Sequence, residues 1–318
     1  MSSSGEGVRE VAPQETGCAR DQHGPPSSHE WLRVARRAGT HKAGGLHLRD
    51  QHVIRRPVTL PSISVVTPSY QHAEFIGATL RSVLDQGYPG LELVVMDGGS
   101  SDGTVEILRG FGDRLRWVSE RDGGQAAALN TGFARTRGEI VGWLNSDDLY
   151  AEGALHAVGE HFRANPEVEW LYGRCPIIDR EGRPARELVT RYKEFWMRRY
   201  SYRRLLIENF LNQPAIFFRR RFLERVGPID TRYRNAFDYE LFLRMGALSR
   251  PAYLDRVLAY FRVHREAKTS ATFERTFREE VEAAERVSQG RHPLLIALHR
   301  VNRVKLTTAY AVLARLGI

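Results

Sequence analysis

Three aspartates stand where predicted strands end, and their positions indicate a site for a divalent cation. Asp147 and Asp148 follow the apolar run GEIVGWLN, and Asp97 follows LELVVM in the segment VVMDGGSSDGT. In an open α/β sheet, ligands bind at the carboxyl ends of the strands. Hard cations such as Mg²⁺ or Mn²⁺ take one or two protein carboxylates and fill their shell with water and phosphate oxygens. The pattern therefore predicts a metal ion bound together with phosphate groups.

The elements that must carry these aspartates alternate between strands and helices. Buried-type strands are predicted over 63–67, 91–96, 115–118 and 139–145, with helices over 74–87, 101–111, 125–138 and 153–166. This alternation predicts an α/β fold with a doubly wound, mostly parallel sheet and helices on both faces. Farther along, the patterns predict a strand pair over 169–179, a strand and helix over 215–227, a helix over 236–248, a strand-like segment over 251–264 and a charged helix over 273–290.

Composition sets limits on the class of protein and its partners. The chain has 318 residues, 42% of them apolar, and a formal net charge of +9. Positive charge is concentrated in 180–225, with 13 basic and 5 acidic residues, and in 291–318, with 5 basic residues and no acidic one. This distribution favours anionic partners. Two cysteines, one of them in a polar N-terminal segment, do not indicate a disulfide, and a reducing compartment fits.

The ends of the chain differ in texture from its middle. Residues 1–60 are polar, show little periodicity and are predicted to be mostly disordered. No apolar stretch reaches the ~18 residues of a membrane span, and the N-terminus lacks the apolar middle of a signal peptide. These features predict a cytoplasmic protein. The basic and apolar C-terminal segment could also lie on the inner face of the cell membrane, or simply pack on the rest of the chain.

The order of the motifs resembles that of a known enzyme family. SVVTPSYQHAEF, VVMDGGSSDGT, DGGQAAALNTGF, GEIVGWLNSDD, NQPAIFFRR, NAFDYELFLR and FRVHREAKTS follow one another over about 62–270. Together they resemble the family-2-type inverting glycosyltransferases of the GT-A fold. The resemblance implies transfer of a sugar from a nucleotide-diphosphate donor, with UDP the common choice, to a hydroxyl of a glycan or lipid-linked acceptor, as in polysaccharide synthesis at the cell envelope.

The resemblance also implies a division of the chain and a set of metal ligands. Residues 61–270 would form the catalytic domain, with a nucleotide-binding half over 61–150 and an acceptor half over 151–270, followed by C-terminal helices over 271–318. Asp148 would bind Mg²⁺ or Mn²⁺, and Asp147 would bind the donor ribose. His264 would be a further residue that binds the metal or the diphosphate. Lys268 would neutralise the diphosphate. Loop capping by Asp147 and a structural role for His264 remain as alternatives.

Further positions correspond to donor-binding positions of the family. They are Thr67, Pro68, Ser69 and Tyr70 in the turn after the first strand, followed by Glu74, Asp97, Gln125 and Gln213. The turn would hold the base, and Glu74 and Asp97 would face the nucleotide. Glu74 could instead be an acid in the first turn of a helix, where it complements the helix dipole. Gln125 would lie in the loop for the donor sugar, or cap its own helix.

Asp238 in FDYELFLR is the predicted catalytic base. An inverting transfer needs one carboxylate to take the proton of the acceptor hydroxyl, unlike the carboxyl pair of glycoside hydrolases. Asp238 and Glu240 lie two residues apart and cannot share one helix face, so only one of them can point at the acceptor. The family motif favours Asp238. Its alternative role is to cap the helix that follows.

Two other functions are compatible with parts of the sequence. A sugar-phosphate nucleotidyltransferase also uses a doubly wound sheet and a metal, but TPSYQHAEF lacks the Gly-rich, basic phosphate loop that this chemistry needs after the first strand. A basic nucleic-acid-binding protein would suit the +9 charge. However, no nucleic-acid-binding motif is present, and clustered carboxylates repel phosphate in the absence of a metal, so no nucleic-acid partner is expected.

Overall fold

The computed structural model describes residues 59–264 and 273–315, with only the backbone described for Phe273 and for 305–315. Three predictions fall on residues outside these ranges. The first is the disorder predicted for residues 1–60, of which only 59 and 60 are described. The other two are the role of Lys268 and the domain boundary at 270.

The described residues form ten strands and ten helices, apart from two short 3₁₀ turns. The strands are β1 Ile63–Ser69, β2 Leu91–Asp97, β3 Arg116–Ser119, β4 Ile140–Trp143, β5 Leu149–Tyr150, β6 Trp170–Arg174, β7 Ile177–Ile178, β8 Ile216–Arg219, β9 Ala252–Val257 and β10 Ala259–Arg262. The helices are α1 Ala73–Leu84, α2 Thr104–Gly110, α3 Gln125–Ala134, α4 Ala154–Ala164, α5 Glu187–Met197, α6 Tyr202–Leu205, α7 Arg220–Val226, α8 Phe237–Leu248, α9 Phe273–Ser288 and α10 Pro293–Arg315.

Seven strands form one sheet in the order β3-β2-β1-β4-β8-β6-β9. Strands β3, β2, β1 and β4 are parallel, and β8 alone runs against its neighbours β4 and β6. The predicted α/β fold with a mostly parallel sheet is therefore confirmed. The sheet takes β1–β4 from the predicted nucleotide-binding half and β6, β8 and β9 from the predicted acceptor half. That division of the chain stays a prediction.

Both faces of the sheet are buried, which explains the unbroken apolar runs of its strands. Val65 and Val66 are adjacent in β1, are both fully buried, and belong to separate hydrophobic clusters. The cluster around Val66 includes Trp143 and Phe242, and it extends to residues of α9 and α10. The two C-terminal helices thus share the core of one face of the sheet.

A second, three-stranded sheet has the order β5-β10-β7. The predicted strand pair over 169–179 does form two strands, but β6 joins the large sheet and β7 joins the small one. Pairing of β5 with β10 is antiparallel and joins Leu149 to Tyr260. This pairing brings the segment after β4 beside the end of β10, and so places the aspartates of LNSDD next to residues more than a hundred positions away.

The arginine triplet at the end of β8 serves the fold. Arg219 is 5% exposed, and its guanidinium donates to the carbonyls of Val168 and Phe162 and pairs with Glu139. Arg220 donates to the carbonyl of Gly138 at 2.8 Å. These two arginines satisfy backbone acceptors at the end of the sheet, so they are not a free cationic surface for anionic ligands.

Candidate active site

The predicted base-binding turn begins later than the sequence suggests. Strand β1 extends through Ser69, so Thr67, Pro68 and Ser69 are buried strand residues and only Tyr70 lies beyond the strand. The hydroxyls of Thr67 and Ser69 are buried and have no hydrogen-bond partner among the described residues. The Tyr70 side chain is 61% exposed. Tyr70 is therefore the residue of this segment that can offer a ring to a ligand.

Tyr70, Gly98 and Asp122 lie close together just after β1, β2 and β3, and they are called here the floor of the site. A Cβ atom added to Gly98 would lie 3.3 Å from the Tyr70 ring and 3.3 Å from the Asp122 carboxylate. Because position 98 has no side chain, the aromatic ring and the acidic group can both lie against its backbone. Gln71, at φ 56°, fixes this floor by accepting the backbone N–H of Ser101 at 3.0 Å. The arrangement suits a flat, polar ring stacked on Tyr70.

Asp97 supports this floor from below. It is 2% exposed, and its carboxylate accepts hydrogen bonds from the hydroxyls of Ser100 and Ser119, both at 2.6 Å. Backbone N–H groups of Gly99 and Ser100 also donate to it. The carboxylate that was predicted to face the nucleotide is thus engaged in shaping the loop.

Asp148 lies inside the protein and does not face a ligand site. It is fully buried, its Oδ1 accepts the backbone N–H of Arg262 at 2.9 Å, and its Oδ2 accepts from Asn145 at 3.2 Å. Burial, with the neighbouring carboxylate of Asp147, raises the pKa of the Asp148 carboxyl well above its ordinary value. Both Asp148 oxygens thus accept hydrogen bonds within the fold, and the role of Asp148 as a direct metal ligand stays a prediction.

Asp147 points the other way and meets His264. Its Oδ2 lies 3.1 Å from Nε2 of His264, and the Asp147 side chain is 14% exposed. The Phe75 ring packs on the imidazole, with 4.8 Å between ring centroids. Ser146 and Asp147 lie in a turn, which is closed by a hydrogen bond of 3.1 Å from the Asp148 N–H to the Asn145 carbonyl. The two carboxylates of LNSDD therefore have different partners, a backbone N–H of β10 for Asp148 and the His264 imidazole for Asp147.

The Asp147–His264 pair is the donor set that a divalent cation would find. Within residues 59–264 and 273–315, no cluster of three or more His, Cys, Asp or Glu side chains could hold a metal ion. A cation that binds through one or two protein groups and the phosphates of a ligand does not need a third. A carboxylate and an imidazole at the mouth of the sheet thus fit a metal that arrives with a diphosphate.

The remaining predicted donor-binding residues occupy different places. Gln125, the first residue of α3, donates to Asn145 Oδ1 at 2.8 Å and so reaches the end of β4. Gln213 donates to the carbonyl of Trp143 at 2.7 Å, and its buried Oε1 has no partner in the part of the chain that the structure describes. Glu74 forms a two-pronged ion pair with Arg180. The Glu74 carboxylate predicted to face the nucleotide is thus already paired with a cation.

Asp238 and Glu240 have different surroundings in α8. Glu240 is 2% exposed and pairs with Arg244 at 2.8 Å, which makes it structural. Asp238 lies in the first turn, where its Oδ1 accepts the backbone N–H of Tyr239 at 2.7 Å. The N-cap residue is Ala236, so the alternative of Asp238 as N-cap is wrong. Of the two acids, Asp238 is the one that is partly exposed, and its role as catalytic base stays a prediction.

Several residues of the site carried no signal in the sequence. Arg262 donates through Nε to the carbonyl of Asp147 at 2.8 Å and through Nη1 to that of Asp179 at 3.0 Å. It therefore fixes the backbone that carries Asp147. His72 contacts the Ser146 hydroxyl at 2.6 Å through Nδ1. An arginine and a histidine of this kind become recognisable only once β5 and β10 are paired.

Comparison with known proteins identifies the family of the chain. A model of glycosyl transferase family 2 matches residues 64–227, more than half of the chain. The chain belongs to glycosyl transferase family 2. This membership gives no support to a nucleotidyltransferase or a nucleic-acid-binding protein.

The family 2 chain resembles several uncharacterized glycosyltransferases. One from Rickettsia typhi is 27% identical over 224 residues, which are 67% of each chain. One from Mycobacterium tuberculosis is 30% identical over 204 residues, 63% of this chain and 75% of that protein. The match to another, from Rickettsia felis, is 31% identical and covers only 21% of that protein. The chain thus spans a small part of some of its relatives.

Solved structures confirm the GT-A fold of this family 2 chain. Staphylococcus aureus TarS 1–349 in complex with UDP superimposes with a TM-score of 0.55 at 18% identity, over 72% of this chain and 66% of that one. A mannosyltransferase from Pyrobaculum calidifontis, in complex with GDP-Man and Mn²⁺, gives a TM-score of 0.55 at 22% identity. This match covers 82% of this chain and 80% of that one.

Proposed function

We propose that this chain is a metal-dependent, inverting glycosyltransferase that uses a nucleotide-diphosphate sugar. The observation that carries the proposal is the contact of Asp147 with His264 beyond the carboxyl end of β4, with Tyr70 just beyond the end of the neighbouring strand β1. Parallel pairing of β1 with β4 sets these two parts of the site next to each other. Solved relatives in complex with UDP, with UDP-GlcNAc, and with GDP-Man and Mn²⁺ support this class of donor.

Asp147 and His264 would hold Mg²⁺ or Mn²⁺. When bound, the ion supplies positive charge that stabilises the departing nucleotide diphosphate. Arg262 keeps Asp147 in place through its backbone carbonyl. Asp148 would act indirectly on the metal site. It accepts the backbone N–H of Arg262 and so connects the loop of Asp147 to β10 from the buried side.

Tyr70 would bind the donor base by stacking, with the backbone of Gly98 beneath the base. The Asp122 carboxylate at the edge of the floor can accept hydrogen bonds from a base N–H or a ribose hydroxyl. A UDP-sugar is the proposed donor, as in the TarS complexes with UDP and with UDP-GlcNAc.

Asp238 would be the catalytic base. Its carboxylate takes the proton of the acceptor hydroxyl while that oxygen bonds to the anomeric carbon from the face opposite the leaving group. The bond from the anomeric carbon to the diphosphate oxygen breaks with its electron pair on the leaving group, so the configuration inverts. The acceptor would be a hydroxyl of a glycan or of a lipid-linked sugar.

The test is a donor screen joined to metal-dependent binding. Thermal shift with UDP or GDP, with and without Mn²⁺, should show stabilisation by one nucleotide that needs the metal, since ligands that bind only the folded state raise the melting temperature. Asp147→Asn should abolish the metal-dependent part, and Asp113→Asn, at an exposed position in a 3₁₀ turn, should not. Equal stabilisation of both variants would contradict the proposal.

Turnover then tests the base. With the sugar donor found in the screen, Asp238→Asn should lose about 10²–10⁴-fold in kcat and keep its affinity for the nucleotide. A variant with near-normal turnover would remove Asp238 from the mechanism. Product with retained anomeric configuration would contradict the inverting reaction.

The C-terminal helix α10 is proposed to contact an anionic lipid surface. No helix among the described residues is long and apolar enough to cross a membrane. One side of α10 packs inward through Ile296 and His299, but Leu294, Leu298 and Val301 on the other side are 79%, 52% and 53% exposed. Apolar residues exposed on a helix with no acidic residue are typical of helices that lie in the membrane interface.

Vesicle sedimentation of the full chain tests this contact. The wild type should pellet with vesicles containing phosphatidylglycerol, less at high salt, and not with phosphatidylcholine alone. Leu294→Glu combined with Leu298→Glu should stay in solution. The control Leu188→Glu, at a residue 80% exposed on α5, should still pellet. Equal pelleting of the double variant would rule out the contact.

A further inference from the structure

Helix α9 lies beyond the residues that match the family model, yet it holds the segment that delivers the proposed base. The Glu279 carboxylate accepts the backbone N–H of Asn235 at 2.7 Å and that of Ala236 at 3.1 Å. Thr276, one turn earlier on α9, accepts from the Asn235 side chain at 3.0 Å. Helix α8 begins at the next residue, Phe237. Two side chains of α9 thus fix the entry of the helix that carries Asp238.

These contacts bind the N–H groups of the two residues just before α8. The N-cap residue of α8 is Ala236, which has no side chain that can cap the helix. N–H groups at a helix start are otherwise unsatisfied, and a carboxylate there also interacts favourably with the helix dipole. Glu279 supplies both effects from 43 and 44 positions away in sequence. Because Asp238 lies in the first turn, the orientation of this turn sets the direction of its carboxylate.

A second acid of α9 lies against the same region. Glu280 is 8% exposed, and burial, followed by the negative charge of Asp238, raises its pKa to about 8. The groups that face it are Asp238 on α8, Lys193 on α5, and Glu208 and Asn209 after α6. Lys193 donates to the Asn212 side chain at 2.7 Å. Helix α9 therefore both fixes the start of α8 and contributes to the polar surroundings of Asp238.

We propose that Glu279 is a positioning residue for the reaction, acting on Asp238 through the backbone of Asn235 and Ala236. This inference depends on the proposed function, in which Asp238 is the base. The carboxylate of Glu279 fixes the first turn of α8, so that the Asp238 oxygens lie at the distance and angle that proton transfer needs. Small displacements of a catalytic group lower a rate by large factors without weakening the binding of the donor.

The experiment compares Glu279→Ala, Glu279→Gln and the control Glu282→Ala in the full chain. Glu282 is an exposed acid on the same helix. With the donor found in the screen, Glu279→Ala should lower kcat about 10–100-fold with less than a twofold change in the KM of the donor. Glu279→Gln keeps one acceptor oxygen and should recover part of the rate. Hydrogen exchange at the amides of Asn235 and Ala236 should be faster in Glu279→Ala and unchanged in the control.

Two outcomes would overturn the positioning role. One is Glu279→Ala with wild-type kcat despite faster amide exchange. The other is a loss in which the KM of the donor, the melting temperature and kcat all change together, which is what a general structural defect produces. The proposed function fails in a different experiment. If Asp238→Asn transfers sugar at the wild-type rate, the base is misassigned, whatever Glu279 does.

Discussion

Nε2 of His264 lies 3.1 Å from Oδ2 of Asp147, although the two residues are 117 positions apart in the chain. One follows β10 and the other follows β4, and the antiparallel pairing of β5 with β10 brings them together. Nothing in the sequence around either residue indicates this contact. The small sheet therefore brings this carboxylate and this imidazole together at the edge of the large sheet.

Removal of the His264 imidazole should weaken the binding of the metal ion and leave Tyr70, Gly98 and Asp122 unchanged. We expect His264→Ala to raise the Kd for Mn²⁺, in the presence of the nucleotide, by at least about 10-fold. Isothermal titration with Mn²⁺ measures this directly. The matched control is His156→Ala, which removes an imidazole on α4 that contacts the Tyr88 ring. Unchanged metal affinity in His264→Ala would exclude His264 as a ligand.

The two neighbouring aspartates should separate stability from binding. Asp148→Ala leaves the buried N–H of Arg262 without its acceptor, which costs about 1–3 kcal/mol in the free energy of unfolding. Asp147→Ala should cost less, because its side chain lies at the surface of the site. Urea unfolding of the metal-free protein measures both. Equal losses for the two variants would contradict the inward orientation of Asp148.

The stability of the protein should depend on pH through Glu280. Its pKa rises from 4.5 to about 8 on folding, so the folded chain keeps a proton that the unfolded chain releases. Stability from this group is full below about pH 4.5 and is lost as the pH rises to about 8. Glu280→Gln lacks this loss and should gain up to a few kcal/mol over the wild type at pH 8.5, since each pKa unit corresponds to ~1.4 kcal/mol.

Urea unfolding at pH 5.5 and 8.5 measures the effect of Glu280. The advantage of Glu280→Gln should grow with pH, and Glu282→Gln, at an exposed acid of the same helix, should show no such trend. A constant difference between Glu280→Gln and wild type at both pH values would show that Glu280 titrates normally.

Tyr70 should contribute to the binding of the donor base through its ring alone. Tyr70→Ala should weaken the binding of the nucleotide by about 1–3 kcal/mol, the usual loss when an aromatic side chain stacked on a base is removed. Tyr70→Phe keeps the ring and should bind as the wild type does. Titration with the nucleotide diphosphate gives both values. Weak binding by Tyr70→Phe would mean that the hydroxyl, and not the face of the ring, makes the contact.

The fold was largely predictable because it follows local rules. Buried parallel strands give unbroken apolar runs, and the helices between them give one apolar stripe each, so β1, α1 and β2 were placed to within three residues at each end. The errors came from strand ends. Strand β1 continues through Pro68 and Ser69, since the pairing of Ser69 with Asp97 extends the sheet beyond the apolar residues. A pairing of that kind has no signal within the segment itself.

The sequence by itself determined which residue types stand at the edge of the sheet, and the motif order determined the family. Only the tertiary structure decided which carboxylate faces outward. Asp147 and Asp148 are chemically identical neighbours, and they differ only in what surrounds them. Asp148 accepts a backbone N–H of β10, and Asp147 contacts an imidazole. The same holds for Asp238 and Glu240, since the partner of Glu240 is Arg244 and the start of α8 is fixed by Glu279. Such choices depend on burial and on contacts between distant segments, and these exist only after the chain has folded.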